Sequence, residues 1–200
     1  MPAIDTISCL CIIAHIEENV QMIKKKTSKE YLLESALELL SKDDIELITV
    51  RDITSNCNIS QRTFYNYFSD KYELANSVYI YLIEQYYAAA EKPHTLHDLL
   101  MLNAQCMYDN KQFFRNLIKY FGQNNFRQFI HKPLMEKYLE VIRNTFNVEP
   151  GEQLCEDISF FLYGCIGSSE MNFSSTTIKR PEQMIPIYER CIPDSLRSFL

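Results

Sequence analysis

A short segment that begins at Thr49 constrains the fold most, because it holds two short helical patterns with a turn between them. Val50, Ile53 and Cys57 recur at helical spacing and therefore share one face of the first helix. Thr49 stands where an N-cap residue is needed, and Asp52 three positions later completes a capping box. The pattern predicts a helix of about two turns.

The second pattern follows after a break at Asn58, a residue type that tolerates the left-handed backbone of a tight turn. Ser60 is a suitable N-cap, and Phe64 and Phe68 lie one helical turn apart, as the buried face of a helix requires. Two short helices joined by three or four residues form a helix-turn-helix.

The outward face of the second helix offers hydrogen-bonding groups and no carboxylate. Its residues are Gln61, Arg62, Thr63, Tyr65, Asn66 and Tyr67. Amide, guanidinium and hydroxyl groups read base edges in the major groove, and cations and hydroxyls hold phosphates. An ordinary polar surface helix has the same spacing, so spacing alone leaves both interpretations open.

The string TFYNYFSDKYEL, from Thr63 to Leu74, resembles the motif of TetR/AcrR-type transcriptional regulators. The resemblance implies an all-α fold, with a three-helix helix-turn-helix DNA-binding domain at residues 24–78 and a helical regulatory and dimerisation domain at residues 79–200. It also implies buried positions for Phe64, Phe68 and Leu74.

The same resemblance implies roles for individual side chains. Those expected to face bases are Arg51, Gln61, Arg62, Tyr65 and Asn66, and those expected to hold phosphates are Thr63, Tyr67 and Lys71. Lys25 and Lys26 precede the first helix, either as an arm that touches phosphates, which we favour, or as a solvated leader.

Composition supports a helical protein and limits the kind of DNA contact. Only four glycines occur in 200 residues, and no useful alternating strand pattern is present. The net charge of −6 does not indicate a bulk nucleic-acid binder, so any basic surface must be local to the helix-turn-helix.

Seven cysteines without CxxC spacing, together with the lack of a secretion signal, predict reduced thiols and a cytoplasmic protein. Residues 1–23 form an extension that fits poorly with the rest of the chain, and its apolar run is too short to span a membrane. We hypothesise that translation starts at Met22; the alternative is a genuine additional helix on the body.

Behind the helix-turn-helix the periodicity predicts further helices, at residues 71 to about 90, 94–108, 111–121, 125–146, 152–173 and 181–192. Phe121 is expected on the inner side of its helix, which Gly122 should end. Pro133 is expected to kink or split the helix that contains it. Clustered tyrosines around Tyr86 favour core packing over a ligand site.

The second half resembles, more loosely, the regulators of dihydroxyacetone kinase operons. The strings that carry this likeness are FFRNLIKYFGQNNFRQFI and FFLYGCIGSSE. In the wider family the last two helices form a dimer through a four-helix bundle, which implies residues 152–173 and 181–192 here. Small residues such as Gly164 and Gly167 suit a close helix–helix interface.

We therefore predict a homodimeric regulator that binds double-stranded operator DNA, acts as a repressor, and responds to an unidentified effector in its second domain. The alternative is a co-regulator or activator controlled by a protein partner. No catalytic residues, cofactor or metal site are expected: the sequence lacks a glycine-rich phosphate loop, and His94 and His97 lack a third ligand.

Overall fold

The computed structural model describes residues 26–90 and 93–200. Within these ranges every regular element is a helix, which confirms the all-α prediction. The α-helices are α1 Ser28–Leu40, α2 Val50–Asn56, α3 Gln61–Tyr65, α4 Lys71–Ala89, α5 Leu96–Asp109, α6 Lys111–Leu117, α7 Phe126–Phe146, α8 Glu152–Ser174 and α9 Pro181–Cys191; a 3-10 helix, η1, spans Asp194–Phe199. Lys25 and the hypotheses about residues 1–23 lie outside the described residues.

Side-chain caps fix where several helices begin. The Thr49 hydroxyl accepts from Asp52 N at 3.2 Å while the Asp52 carboxylate accepts from Thr49 N at 2.8 Å, as predicted. Thr27 and Glu30 form the same reciprocal pair at α1. Each box satisfies two backbone donors that a helix N-terminus leaves free.

Helix α1 is the centre of an N-terminal bundle that also contains α2, α3 and the first turns of α4. Its inner face includes Leu32, Ala36 and Leu40, all essentially buried, and packs against α4. Burying each of the two leucines contributes roughly 1.5–3 kcal/mol, so this small bundle has a core of its own.

The C-terminal body comprises α5 to η1 with the second half of α4. Helix α7 packs along α8, α9 packs on α5, and α6 lies between α1 and α8. Helix α4 passes through residue 78, the predicted end of the first domain, without a break. The two parts therefore share one continuous helix.

One detail of the predicted helices is wrong, and a second is only partly tested. Helix α6 ends at Leu117, well before Gly122, so Phe121 is not on an inner face; its side chain is 79% exposed. Pro133 does not split α7, which runs from Phe126 to Phe146 with the proline inside it; a kink at this position stays a prediction. Packing of α7 against α8 holds the helix together where local propensity disfavours it.

No helix among the described residues is long and apolar enough to cross a membrane.

Candidate nucleic-acid interface

The turn between α2 and α3 sets the direction of α3. Asn58 adopts a positive φ of 54°, as its residue type predicts, and Ile59 N donates to Thr54 O at 2.9 Å. The Ser60 hydroxyl then accepts from Thr63 N at 3.1 Å and caps α3. The chain therefore leaves α2 and enters α3 with a defined geometry.

One side of α3 is anchored in the N-terminal bundle. Phe64 is completely buried and Phe68 nearly so, with their ring centroids 5.8 Å apart. Beneath them the buried Ser35 hydroxyl donates to Ile53 O at 2.8 Å and accepts from the Asn56 amide, which joins α1 to α2. Rotation of α3 would therefore expose aromatic surface and break this packing.

The other side of α3 faces solvent. Its exposed side chains are Gln61, Arg62, Tyr65, Asn66 and Tyr67. Tyr65 is 57% exposed although its ring meets the buried Phe64 ring edge-on, at a centroid distance of 5.2 Å. Thr63 is half-buried, and its hydroxyl lies 2.8 Å from the Ser60 hydroxyl. The structure thus brings the predicted α3 residues together on one surface.

The cations around this surface differ in how freely they can meet a phosphate. Arg51 and Arg62 are exposed and make no ion pair with any described residue. The Lys26 ammonium lies 2.6 Å from the Glu34 carboxylate, which raises the pKa of Lys26. A phosphate would have to compete with Glu34 for Lys26. Neither arginine forms an ion pair with a described residue, although the capping hydrogen bonds of Asp52 and, after them, the Arg51 charge contribute to lowering the pKa of this carboxylate.

Lys71 is differently placed. Its half-buried ammonium donates to Ile45 O and Ile48 O at 2.7 Å each, and to Glu46 O at 3.4 Å. Burial lowers the pKa of this ammonium. Because its three hydrogens are already used, Lys71 can hold a phosphate only by giving up one of these bonds.

A joint of polar and aromatic contacts connects the N-terminal bundle to the C-terminal body. The buried Asn116 amide donates to Leu40 O at 2.8 Å, and the Tyr120 ring stacks on the Tyr72 ring at 4.1 Å. The Asn124 amide reaches the Asp70 carboxylate at 3.3 Å, at the start of α4. Residues 116–124 are therefore in direct contact with the bundle that carries α3.

The body contains a cavity of about 60 Å³ between α5, α7, α8 and α9. Ile118 and Phe126, which flank the joint, form part of its wall. The remaining lining is Leu99, Leu100, Asn103, Ala104, Met107, Ile130, Leu134, Tyr138, Leu162, Cys165, Ile166, Ser169, Glu170 and Tyr188. Burial raises the pKa of the Cys165 thiol to about 12, so this cysteine is neutral.

The outer face of α8 carries large apolar side chains in solvent. Phe160 is 81% exposed, and Tyr163 and Met171 lie on the same helix with more than half of their surface accessible. Cys155 and Ser159 line a shallow cleft beside Phe160. Apolar groups of this size on one helix face are typical of surfaces that associate with another chain.

Two histidines, His97 and His131, contact neighbouring side chains, whereas His94 is exposed. His97 pairs with the Glu189 carboxylate, and His131 stacks on Tyr163 and contacts the Ser159 hydroxyl. Within the described part of the chain, no group of three or more potential ligands could hold a metal ion.

Comparison with protein families explains this geometry. The family model described as bacterial regulatory proteins, tetR family, matches residues 32–78, and the model described as transcriptional regulator C-terminal region matches residues 94–194. The chain belongs to the TetR family. It is a TetR-type transcriptional regulator, and the N-terminal bundle is its DNA-binding domain.

Several solved TetR-type structures share the fold. The dihydroxyacetone kinase operon activator DhaS is 16% identical, with 86% of this chain and 97% of that chain covered at a TM-score of 0.58. A TetR transcriptional regulator from Rhodococcus sp. RHA1 is 13% identical, with 87% and 99% covered at 0.60.

The TetR family repressor AlkX from Dietzia sp., described as implicated in the biodegradation of n-alkanes, is 16% identical, with 84% and 95% covered at a TM-score of 0.53. Such identities show a common fold. A search of curated proteins finds no match.

Sequence reasoning missed the joint and the cavity of this TetR protein. Asn116 and Asn124 carry no local signal, because an asparagine on a helix or loop is ordinarily a solvated residue. The burial of Asn116 and the partners of both residues depend on residues up to 76 positions away in the chain. Only an alignment of related sequences or a structure could have revealed them.

Proposed function

We propose that this TetR-family protein is a homodimeric repressor that binds a near-palindromic operator through α3 and loses operator affinity when a small molecule enters the body. The supporting observation is the exposed, carboxylate-free face of α3, held by the buried Phe64 and Phe68. We place this action in the cytoplasm, where the chromosome lies.

In this proposal the side chains divide into two groups by chemistry. Those that read bases are Arg51, Gln61, Arg62, Tyr65 and Asn66, and those that hold phosphates are Thr63, Tyr67, Lys26 and, after loss of a loop bond, Lys71. Guanidinium and amide groups discriminate base edges by paired hydrogen bonds, whereas hydroxyls and ammonium groups fix the register on the backbone.

The homodimer would form through α8 and α9, with the exposed Phe160 and Met171 of α8 in the interface. A two-fold axis between the bodies would place the two copies of α3 in successive major grooves, about 34 Å apart. Repression follows when the occupied operator overlaps the promoter.

Effector control would pass through the joint. Ile118 and Phe126 form part of the cavity wall, while Asn116 and Tyr120 touch the N-terminal bundle. A molecule that moves the wall would therefore move the contacts that set the distance between the two α3 helices. The affinity for the operator changes if the molecule binds more tightly to one spacing of the two α3 helices than to another.

A second candidate function keeps the DNA-binding domain and replaces the small molecule by a protein partner that converts the protein into an activator. The exposed Phe121, beside the joint, is the observation that favours it. The structural relative DhaS is described as an operon activator.

The first experiment is fluorescence anisotropy with the DNA upstream of the gene and unrelated DNA of equal length, across a salt series. Arg62→Ala should weaken specific binding by about 1–3 kcal/mol, roughly fivefold to 150-fold, since a base-contacting guanidinium is lost. Arg143→Ala removes the same charge near the far end of α7, where Arg143 pairs with Glu149 at 3.0 Å, and should leave binding within about twofold.

Equal losses from the two arginine variants would contradict a specific role for α3. If the protein shows no preference for the upstream DNA at any salt concentration, the result would favour the function controlled by a protein partner. Capture of that partner would then be the next measurement.

A further inference from the structure

The cavity in the C-terminal body has a chemistry that restricts what it can bind. Its lining is largely aliphatic and aromatic, and only a few polar side chains reach it. Enclosed apolar sites with a few convergent polar groups are where proteins bind small molecules. The identity of those polar groups therefore defines the class of effector.

Tyr138 provides an unused hydrogen-bonding group in this cavity. Its side chain is 2% exposed, and its hydroxyl makes no hydrogen bond with any described residue. By contrast, the hydroxyl of Tyr188, on the same lining, lies 2.9 Å from the Ser169 hydroxyl. Asn76 Oδ1 is the one fully buried side-chain oxygen or nitrogen without a partner among the described residues, so the Tyr138 oxygen keeps some accessible surface. A phenol in a largely apolar site ordinarily finds a hydrogen-bond partner. A ligand oxygen would supply that partner.

The charge of the lining excludes anions. Glu170 is the one lining side chain that carries a formal charge, and no lysine, arginine or histidine lines the cavity within the described chain. Burial raises the pKa of Glu170, which shows that the surroundings already disfavour its negative charge. The cation that pairs with it, Arg127, lies 3.5 Å away and is needed there. A carboxylate or phosphate brought into the cavity would meet repulsion without a counter-charge.

The cavity is so small that a ligand must move its wall on binding. A volume of about 60 Å³ is well below the roughly 150 Å³ of an engineered apolar cavity that holds benzene. A ligand of five or six heavy atoms must therefore widen it. The unbranched Met107 can yield by rotation, whereas the β-branched Ile118 is stiff at χ1 and belongs to residues 116–124 of the joint. Widening the cavity on that side therefore acts on the joint.

We propose that the effector is a small, uncharged, mainly apolar molecule with one oxygen atom that hydrogen-bonds to the Tyr138 hydroxyl, such as a short alcohol or ketone. Carboxylic acids and phosphorylated metabolites are excluded by Glu170. This inference rests on the proposed function only for its regulatory consequence; the binding itself is independent of DNA.

The test is isothermal titration calorimetry of the full chain with 1-pentanol, pentanoate and pentylammonium at pH 7.5, which share a carbon chain and differ in head group. Pentanol should bind, and pentanoate should not. Tyr138→Phe should weaken pentanol binding by about threefold to tenfold, as expected for one lost hydrogen bond. Tyr31→Phe, which removes an exposed hydroxyl on α1, should leave binding unchanged.

Glu170→Gln gives a second, independent readout: the affinity for pentanoate should rise at least threefold relative to that for pentanol, because the repelling charge is removed and Arg127 loses its carboxylate partner. Pentanoate or pentylammonium binding more tightly than pentanol to the natural chain, or pentanol binding that Tyr138→Phe leaves unaltered, would overturn the proposal. Melting curves of both variants check that each is folded.

Operator anisotropy with and without pentanol separates this inference from the proposed function. Specific operator binding by a protein that does not bind pentanol overturns the effector class and leaves the DNA-binding function intact. Pentanol binding by a protein that shows no operator preference overturns the proposed DNA-binding function and leaves the effector class intact.

Discussion

Lys71 shows how a residue that a motif assigns to DNA can also have a structural role in the free protein. The resemblance to TetR-type regulators assigns it to a phosphate, yet its ammonium holds the carbonyls of Ile45 and Ile48 at 2.7 Å. These bonds tie the loop between α1 and α2 to the first residue of α4. In the free protein Lys71 therefore stabilises the DNA-binding domain.

Replacing Lys71 by methionine keeps most of the side-chain volume and removes the donor. Lys71→Met should lower the free energy of unfolding by about 1–3 kcal/mol, because partly buried carbonyls lose their partner. Urea denaturation measures this, and Lys42→Met, at an exposed pair with Glu38, serves as the control and should change little.

The salt dependence of operator binding distinguishes the two roles of Lys71. Loss of a phosphate contact lowers the slope of log affinity against log salt by about one, whereas a purely structural lysine leaves the slope intact. We expect the slope to fall by about one in Lys71→Met, because Lys71 exchanges a loop bond for a phosphate when DNA binds. An unchanged slope would mean that Lys71 has a structural role only.

At the scale of one element, α7 is a helix that local propensity disfavours. Pro133 lies in its interior, where proline has no N–H to donate to the carbonyl of Phe129. Ile130, Leu134 and Tyr138 nevertheless bury their side chains on the same face. Tertiary packing therefore compensates for the local penalty.

Pro133→Ala should raise the free energy of unfolding by about 1–3 kcal/mol, since alanine restores the backbone donor and the better helix propensity. Thermal denaturation measures the gain. Pro181→Ala is the matched control: Pro181 begins α9, where proline is well tolerated, so no stabilisation is expected. A stability loss in Pro133→Ala would mean that the ring packs in a way that alanine cannot replace.

At the scale of the whole molecule, the exposed apolar face of α8 is the clearest candidate for a subunit interface. Phe160 and Phe121 are almost equally exposed, but Phe160 lies on the long helix α8 and Phe121 on the loop beside the joint. Substitutions at these two residues therefore test whether the homodimer forms through α8 in particular or through any exposed apolar side chain.

Phe160→Asp should convert the proposed homodimer into monomers, because a carboxylate would be buried against an apolar partner surface. Phe121→Asp should leave the molecular mass unchanged. Light scattering coupled to size-exclusion chromatography measures both. A dimer that survives Phe160→Asp would place the interface elsewhere.

The sequence alone was sufficient for the DNA-binding domain because its determinants are local. A capping residue such as Ser60, a turn residue such as Asn58 and the spacing of Phe64 and Phe68 all act within a few positions of one another. Each predicted its structural role correctly. The assignments of bases and phosphates to individual side chains remain predictions.

Tertiary structure decided what depends on distant residues. Local periodicity predicted that α6 extends to Phe121, although the helix ends at Leu117. The hydrogen bonds of the Lys71 ammonium depend on a loop more than twenty residues earlier in the chain. The joint and the cavity exist only where several helices meet, and an unpaired hydroxyl such as that of Tyr138 acquires meaning only once its surroundings are enclosed. Local spacing encodes helices and caps, whereas burial, partners and enclosed volume are properties of the assembled chain.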